Sequence, residues 1–321
     1  MLKWITGLLV AALLLMKPEA AANGAREAMY HWYYTVAPSL FPFMALLPLL
    51  TSQPAAWECL LGPLTRRIYK LPGAAASALA IGMLAGSPAG CLAAARVAAS
   101  TPMNRGQAQR LAIACCGMSP AFLISGIGAG MLGSPSYGHV LLRAQLMTQL
   151  AMPVILFPFF RDPSPLRFDA PPSPAPPVLS ILNVGGYMTL FAAIAAALSD
   201  LLGSTAGQIC LCLLDVTSGA RIISNINMKI LYKIAALAAI TGFGGLSISA
   251  QNLSALGKII RPLPFLLARI TAALISVAFA VLQISDITFD LALNPLQIAS
   301  LCAVLLVIPV ILKLKKHSFN N

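Results

Sequence analysis

The chain has 321 residues, of which 59% are hydrophobic and 9% charged. Soluble domains carry about 25% charged residues, so this composition excludes a water-soluble globule and indicates a polytopic membrane protein. The formal charge of +12, from 21 Lys+Arg against 9 Asp+Glu, is that of cytoplasmic loops collecting cations, and no nucleic-acid partner is expected.

MLKWITGLLVAALLLM opens the chain with a lysine and a short apolar core. It is read as an uncleaved first helix, about 2–16, because cleavage would leave the charge pattern with an odd number of crossings. Further stretches near the ~20 residues a span needs lie at about 34–50, 107–132, 138–160, 178–200, 229–254, 262–283 and 295–312. Two more, 72–99 and 204–225, are interrupted. Between 161 and 177 runs RDPSPLRFDAPPSPAPP, whose prolines forbid a continuous helix and predict a stiff, extended cytoplasmic linker.

Orientation follows from charge. With a cytoplasmic N-terminus, and with 72–99 and 204–225 entering and leaving on one side, Lys3, Arg66, Arg67, Lys70, Arg105, Arg110, Arg161, Arg167, Lys258, Arg261, Lys313, Lys315 and Lys316 face the cytoplasm. The outside receives Lys17, Arg26, Lys229 and Lys233 with Glu19, Glu27, Asp200, Asp286 and Asp290. If either interrupted stretch crossed fully, the charges after it would invert, against the positive-inside rule. Both are therefore predicted to be re-entrant hairpins, and the C-terminus is cytoplasmic too.

The expected fold is all-α, with about eight transmembrane helices and two re-entrant helical hairpins in an inverted repeat. Its parts are an N-terminal helix and external segment (1–33), a first repeat (34–160), the linker (161–177), a second repeat (178–285), and a last span with a basic tail (286–321). Each repeat reads as a span, a hairpin, a span broken by glycines, and another span. The hairpin tips are AGSPAG (85–90) and DVTSGAR (215–221), and the broken spans contain CGMSPAFL (116–123) and TGFGGLSI (241–248). The breaking residues are Gly86 and Pro88, Gly117 and Pro120, and Gly242, Gly244 and Gly245. Such breaks survive at membrane depth only inside protein or beside a watery cavity, and four in register point to one shared site, as in many secondary transporters.

The polar residues at these breaks are the candidate solute- or ion-binding set: Ser87 and Gly90 at the first tip, Ser119 on its broken span, Asp215, Thr217, Ser218 and Arg221 at the second tip, and Ser247 and Gln251 beyond it. A charge at membrane depth is usually paired or functional. For Asp215 and Arg221, six residues apart, mutual pairing is one reading. A proton, cation or donor-group site at Asp215 is the other. Seven cysteines and three histidines occur, without CxxC, HExxH, a nucleophile elbow or a phosphate loop. No metal, cofactor or catalytic residue is expected, and the protein is not read as an enzyme.

LPGAAASALAIGMLAGSPAG (71–90), GFGGLSISAQ (242–251), PFLLAR (264–269) and SLFPFMALLPLL (39–50) together resemble the sporulation integral membrane protein YlbJ family, over roughly 35–285. That family belongs with the nucleoside-recognition, or Gate, domain proteins, whose halves are similar to the hairpin-bearing halves of concentrative nucleoside transporters. The resemblance implies a multi-pass cell-membrane protein of a sporulating bacterium, acting in spore cortex formation. Where relatives usually follow the first-half turn with Ala-Lys, Cys91-Leu92 stand here. The expected function is a transporter-like carrier of a small polar solute, with the coupling ion open between H+ and Na+. The alternative is a non-transporting scaffold with a degenerate transporter-like fold. The partners expected are the bilayer, the solute, and other sporulation membrane proteins or further copies of the chain.

Overall fold

The computed structural model describes residues 2–52, 54–166 and 177–288. The last predicted span and basic tail, and most of the proline-rich linker, lie outside the described residues. Among the described residues the regular elements are helices, with one isolated bridge between Asn104 and Pro165.

The chain begins with α1 (Leu2–Met16), which turns sharply into α2 (Pro18–His31); Trp4–Met16 and Pro18–Val36 are bent by 101°. Then α2 runs on through a π-helical turn (Trp32–Val36) into α3 (Ala37–Ser52). The segment expected to lie outside before a span at 34 is thus helical and continuous with that span. The reason is packing. The alanine-rich α2 lies close against α9 (Pro177–Leu202): a Cβ on Gly24 would come within 2.6 Å of Ala196 Cβ. The indole of Trp32 covers Gly185 and its Nε1–H donates to Ile181 O at 3.1 Å.

After α4 (Pro54–Pro63) come α5 (Ala75–Ala85) and α6 (Ala89–Ser100), packed against each other as a helical hairpin. Their crossing is at Gly82 and Gly90, where a Cβ on Gly90 would sit 2.6 Å from Gly82 Cα. Next, α7 (Arg105–Ala114) starts at a capping box, in which Asn104 Oδ1 accepts from Gln107 N–H and Gln107 Oε1 from Asn104 N–H. It gives way at Cys115 to irregular backbone, followed by a π-helix (Phe122–Met131) and α8 (Pro135–Ile155).

In the second half, α9 is followed by the hairpin of α10 (Ser204–Leu214) and α11 (Val216–Asn225), closed where Gly219 meets Cys212. The broken pair α12 (Ile230–Phe243) and α13 (Gly245–Leu256) follows, and then α14 (Pro262–Thr288). The first hairpin tip and both breaks fall at glycines and prolines, whereas the second hairpin turns at Asp215, with neither residue at the turn.

Three stretches, Pro177–Leu202, Ile230–Ile259 and Pro262–Ile284, are long and apolar enough to cross a membrane, or four if the bent pair Trp4–Val36 is one span. The other predicted spans within the described residues are helical, and several of them are short or broken. Residues 107–132 are split by the irregular backbone, and α8 carries Arg143, Gln145, Thr148 and Gln149 among its apolar residues. Large apolar side chains remain exposed along the outer faces, among them Leu182 and Leu190 on α9 and Leu267 and Ile270 on α14. Such a surface suits lipid rather than water. The protein is an integral membrane protein.

Two hydrophobic cores flank the breaks. One joins α3, α5, α6, α7 and α9 around Met44, Leu79, Leu111 and Phe265; the other joins the π-helix, α8, α11 and α12 around Leu123, Leu141 and Leu237. Helix α14 belongs to both, through Phe265, Ala268 and Ala272 in one and Ala280 and Ile284 in the other.

Candidate functional site

The two hairpin tips meet the two broken helices. At the first tip Gly86 has φ +71°, a conformation that favours glycine. A Cβ there would lie 2.5 Å from Ser119 N, and Ser87 N–H donates to Gly117 O at 2.7 Å. At the second break Gly244 and Gly245 both have positive φ, +87° and +70°. A Cβ on Gly245 would lie 3.1 Å from Val216 N, beside the second tip. Each tip thus seats in the break of its own half of the chain.

The halves are also tied to one another. Asn252 on α13 donates from Nδ2 to Ser87 Oγ at 3.1 Å. Arg269, buried on α14, donates through Nε to Phe243 O at 2.9 Å and through its two terminal nitrogens to Gly242 O and Cys116 O. Helix ends leave carbonyls without intrahelical partners, and these are the C-terminal ends of α12 and α7. One guanidinium therefore satisfies orphan carbonyls at both breaks, which is how irregular backbone persists away from water. In the first half, Gln149 on α8 donates to Gly82 O at 3.3 Å.

A cavity of about 860 Å³ opens at this junction. Of the residues singled out from sequence, Ser87, Ser119, Asp215, Thr217, Arg221 and Gln251 line it, as does Ser125. Its other walls come from the π-turn and the start of α3 (Tyr34, Thr35, Pro38), from α9 (Val184, Met188) and from the π-helix (Phe122, Gly126, Gly130). The remaining three candidates serve elsewhere. Gly90 is spent on the α5–α6 crossing, Ser218 caps with Asp215, and Ser247 is fully buried as the acceptor for Gln251 Nε2 at 3.4 Å.

Asp215 is buried and is the N-cap of α11: Oδ2 accepts from Ser218 N–H at 2.8 Å and from Ser218 Oγ–H at 2.7 Å. It does not pair with Arg221. Arg221 reaches Glu27 on α2 instead, with His31 Nε2 against its other terminal nitrogen. Of these three half-exposed or exposed groups, His31 and Arg221 line the cavity, and together the three join α2 to α11.

A second cavity of about 250 Å³ shares Gln251 and Val184 with the first. The two lie in series. Along α3 the first takes Leu40 and the second Met44 and Leu47. On α13 the order is Ile248, Gln251, Ser254, and from the first tip onward it is Ser87, Pro88, Leu92, Arg96. Gln251 and the Ser87–Pro88 tip stand at the shared boundary.

Chain-distant residues that the sequence reading did not select are Glu27, His31, Asn252 and Arg269. For Arg269 a signal was present, a charge seven residues inside the apolar run that begins at Pro262. For the others, pairing across more than 150 residues left no local pattern.

The chain is 26% identical over 327 residues to the sporulation integral membrane protein YlbJ of Bacillus subtilis (strain 168), covering 86% of this chain and 80% of the relative. This similarity supports membership of the YlbJ family. No protein-family profile and no solved structure matches the chain. Leu92, where the resemblance leads one to expect a lysine, lines the second cavity.

Proposed function

We propose that this YlbJ-family protein is a carrier of a small polar solute used in sporulation, in the building of the spore cortex. One observation carries the reading: both hairpin tips and both broken helices converge on a single cavity. Its volume, about 860 Å³, is in the range of small-ligand sites, roughly 300–1,000 Å³. Its wall offers a carboxylate, hydroxyls and an amide from parts of the chain far apart in sequence.

The series of two cavities supports a route. A solute held at Asp215, Thr217 and Ser87 would pass Gln251 and the first tip to reach the second cavity. The hairpins are then the movable parts, and the two halves stand in inverted topology, with eight spans and both termini in the cytoplasm. In this reading the Gate-type kinship concerns the fold, and the solute class stays at small and polar. The second reading, a scaffold acting through partner membrane proteins, is favoured by Leu92 in place of a polar residue in the second cavity.

Two assays on the same variants separate them. Vesicles reconstituted with the purified protein and loaded with a labelled nucleoside, amino sugar or amino acid should release at least one faster than empty vesicles. In a Bacillus subtilis strain lacking YlbJ, the chain should restore heat-resistant spores. Restoration with no flux of any of the three classes is the result expected of the scaffold and would displace the carrier.

A further inference from the structure

Away from the hairpin tips, three cations converge on one aromatic ring. Lys70 Nζ lies 5.1 Å from the centroid of Phe157, Arg110 Cζ 4.5 Å and Arg161 Cζ 5.0 Å. They come from three places in the chain: the turn before α5, the middle of α7, and the start of the linker after α8. Together with Asn104 and Gln107 they line a pocket of about 440 Å³. Among the described residues no acidic side chain lines it, and none of the three cations has an ion-pair partner.

This arrangement is held in place. Arg110 is buried and donates through Nη1 to Tyr69 O at 2.8 Å, while Gln107 Nε2 donates to Lys70 O at 2.9 Å. Tyr69, itself buried, donates its hydroxyl to Leu150 O at 2.9 Å. Arg161 is fixed by the linker, which lies along the start of α7: Arg105 N–H donates to Ser164 O at 2.9 Å and Gly106 N–H to Asp162 O at 3.0 Å. Asp162, next to Arg161 in the chain, is engaged elsewhere. Asp162 accepts from the N–H and hydroxyl of Ser164, which hold its carboxyl below the usual carboxylate range, and its other oxygen is 3.7 Å from Arg105.

Two features of this pocket run against stability alone. Like charges brought together repel, and the face of one ring offsets only part of that. Lys70 also has φ +53°, a left-handed backbone uncommon for a residue with a Cβ. Strain of this kind gathers at binding sites. Positive-inside cations need only lie on one side of the membrane; they do not need to share a ring.

We propose that Lys70, Arg110 and Arg161 form an oxyanion site that takes a phosphate group. The ligand is either a free phosphate-bearing solute or the headgroup of an anionic lipid, since basic pockets at a membrane edge hold both kinds of phosphate by the same charge-assisted bonds. The site is independent of the carrier reading, because it is measured by binding.

The test uses the purified full-length protein and its melting temperature. In neutral detergent, inorganic phosphate is titrated against chloride at matched ionic strength. In lipid nanodiscs, phosphatidylcholine alone is compared with phosphatidylcholine plus phosphatidylglycerol. A saturable rise with phosphate identifies a free anion, and a rise with phosphatidylglycerol only identifies a headgroup. Arg161→Gln, at an exposed position, should weaken whichever response is seen by roughly tenfold, as loss of one charge-assisted bond implies. Lys70→Gly should weaken it similarly while melting no lower than the parent without ligand, because glycine accepts the left-handed backbone. No response to either phosphate source, or an undiminished response in both variants, would overturn the site.

Discussion

At Asp215 the carboxylate caps α11 through Ser218, and asparagine caps a helix about as well as aspartate does. Asp215→Asn should therefore accumulate and melt like the parent, yet lose flux and spore rescue. Asp215→Ala should in addition lose roughly 0.5–2 kcal/mol of stability, the usual worth of an N-cap. Full rescue by Asp215→Asn would remove this carboxylate from the mechanism. Arg269 behaves differently, because its contacts are all to backbone. Arg269→Met leaves carbonyls at both breaks without donors, at about 1–3 kcal/mol for each buried group. The expected outcome is a sharp fall in accumulated protein, measured by quantitative blotting of membranes. Arg269→Lys, which keeps charge but not the fork of donors, should recover only part of it. Normal accumulation of Arg269→Met would show that the breaks are satisfied in another way.

The helical hairpins depend on close approach. A Cβ on Gly90 would come within 2.4 Å of Cys115 O, whereas one on Gly7 meets nothing within 4 Å. Gly90→Ala is expected to destabilise by about 1–3 kcal/mol, the range of overpacked sites, while Gly7→Ala should be neutral; thermal melting of the purified variants decides. Re-entrance itself is tested by labelling. With single cysteines placed as Thr101→Cys and Asn227→Cys in a background cleared of native cysteines, an impermeant maleimide should reach the first from the cytoplasm and the second from outside. The opposite result at either position would mean that the hairpin crosses. These elements were legible because glycine and proline act on the backbone next to them. The tip at 86–90 and the breaks at 117–120 and 244–245 needed no knowledge of partners; at 215 the signal was the polar run DVTSGAR instead. The course of α2 was not legible. Its charges placed Glu19, Arg26 and Glu27 outside but showed nothing of the contact with α9, through Gly24 and Trp32, that packs it.

Across the whole molecule, chain-distant pairs decide what the sequence left open. Lys17 pairs with Asp200 at 2.8 Å, both assigned to one face, and Arg221 of the second hairpin pairs with Glu27 of that face. Lys70, Arg110 and Arg161 gather among those assigned to the other. These partnerships were hidden, since nothing local links residue 221 to residue 27. The same holds for Arg269, where the ends of two helices face one guanidinium. Helix C-termini carry partial negative charge, and in carriers with broken helices such ends hold a mobile sodium ion. Here the counter-charge is tethered to α14 by a covalent side chain. It travels with the protein and is never released to either side. For the proposed carrier, the prediction is that this crossing does not seat sodium and that a proton at Asp215 is the coupling ion. Replacing sodium with potassium should leave flux unchanged, while a protonophore should abolish uphill movement; a requirement for sodium would show that the tethered charge does not stand in for the ion.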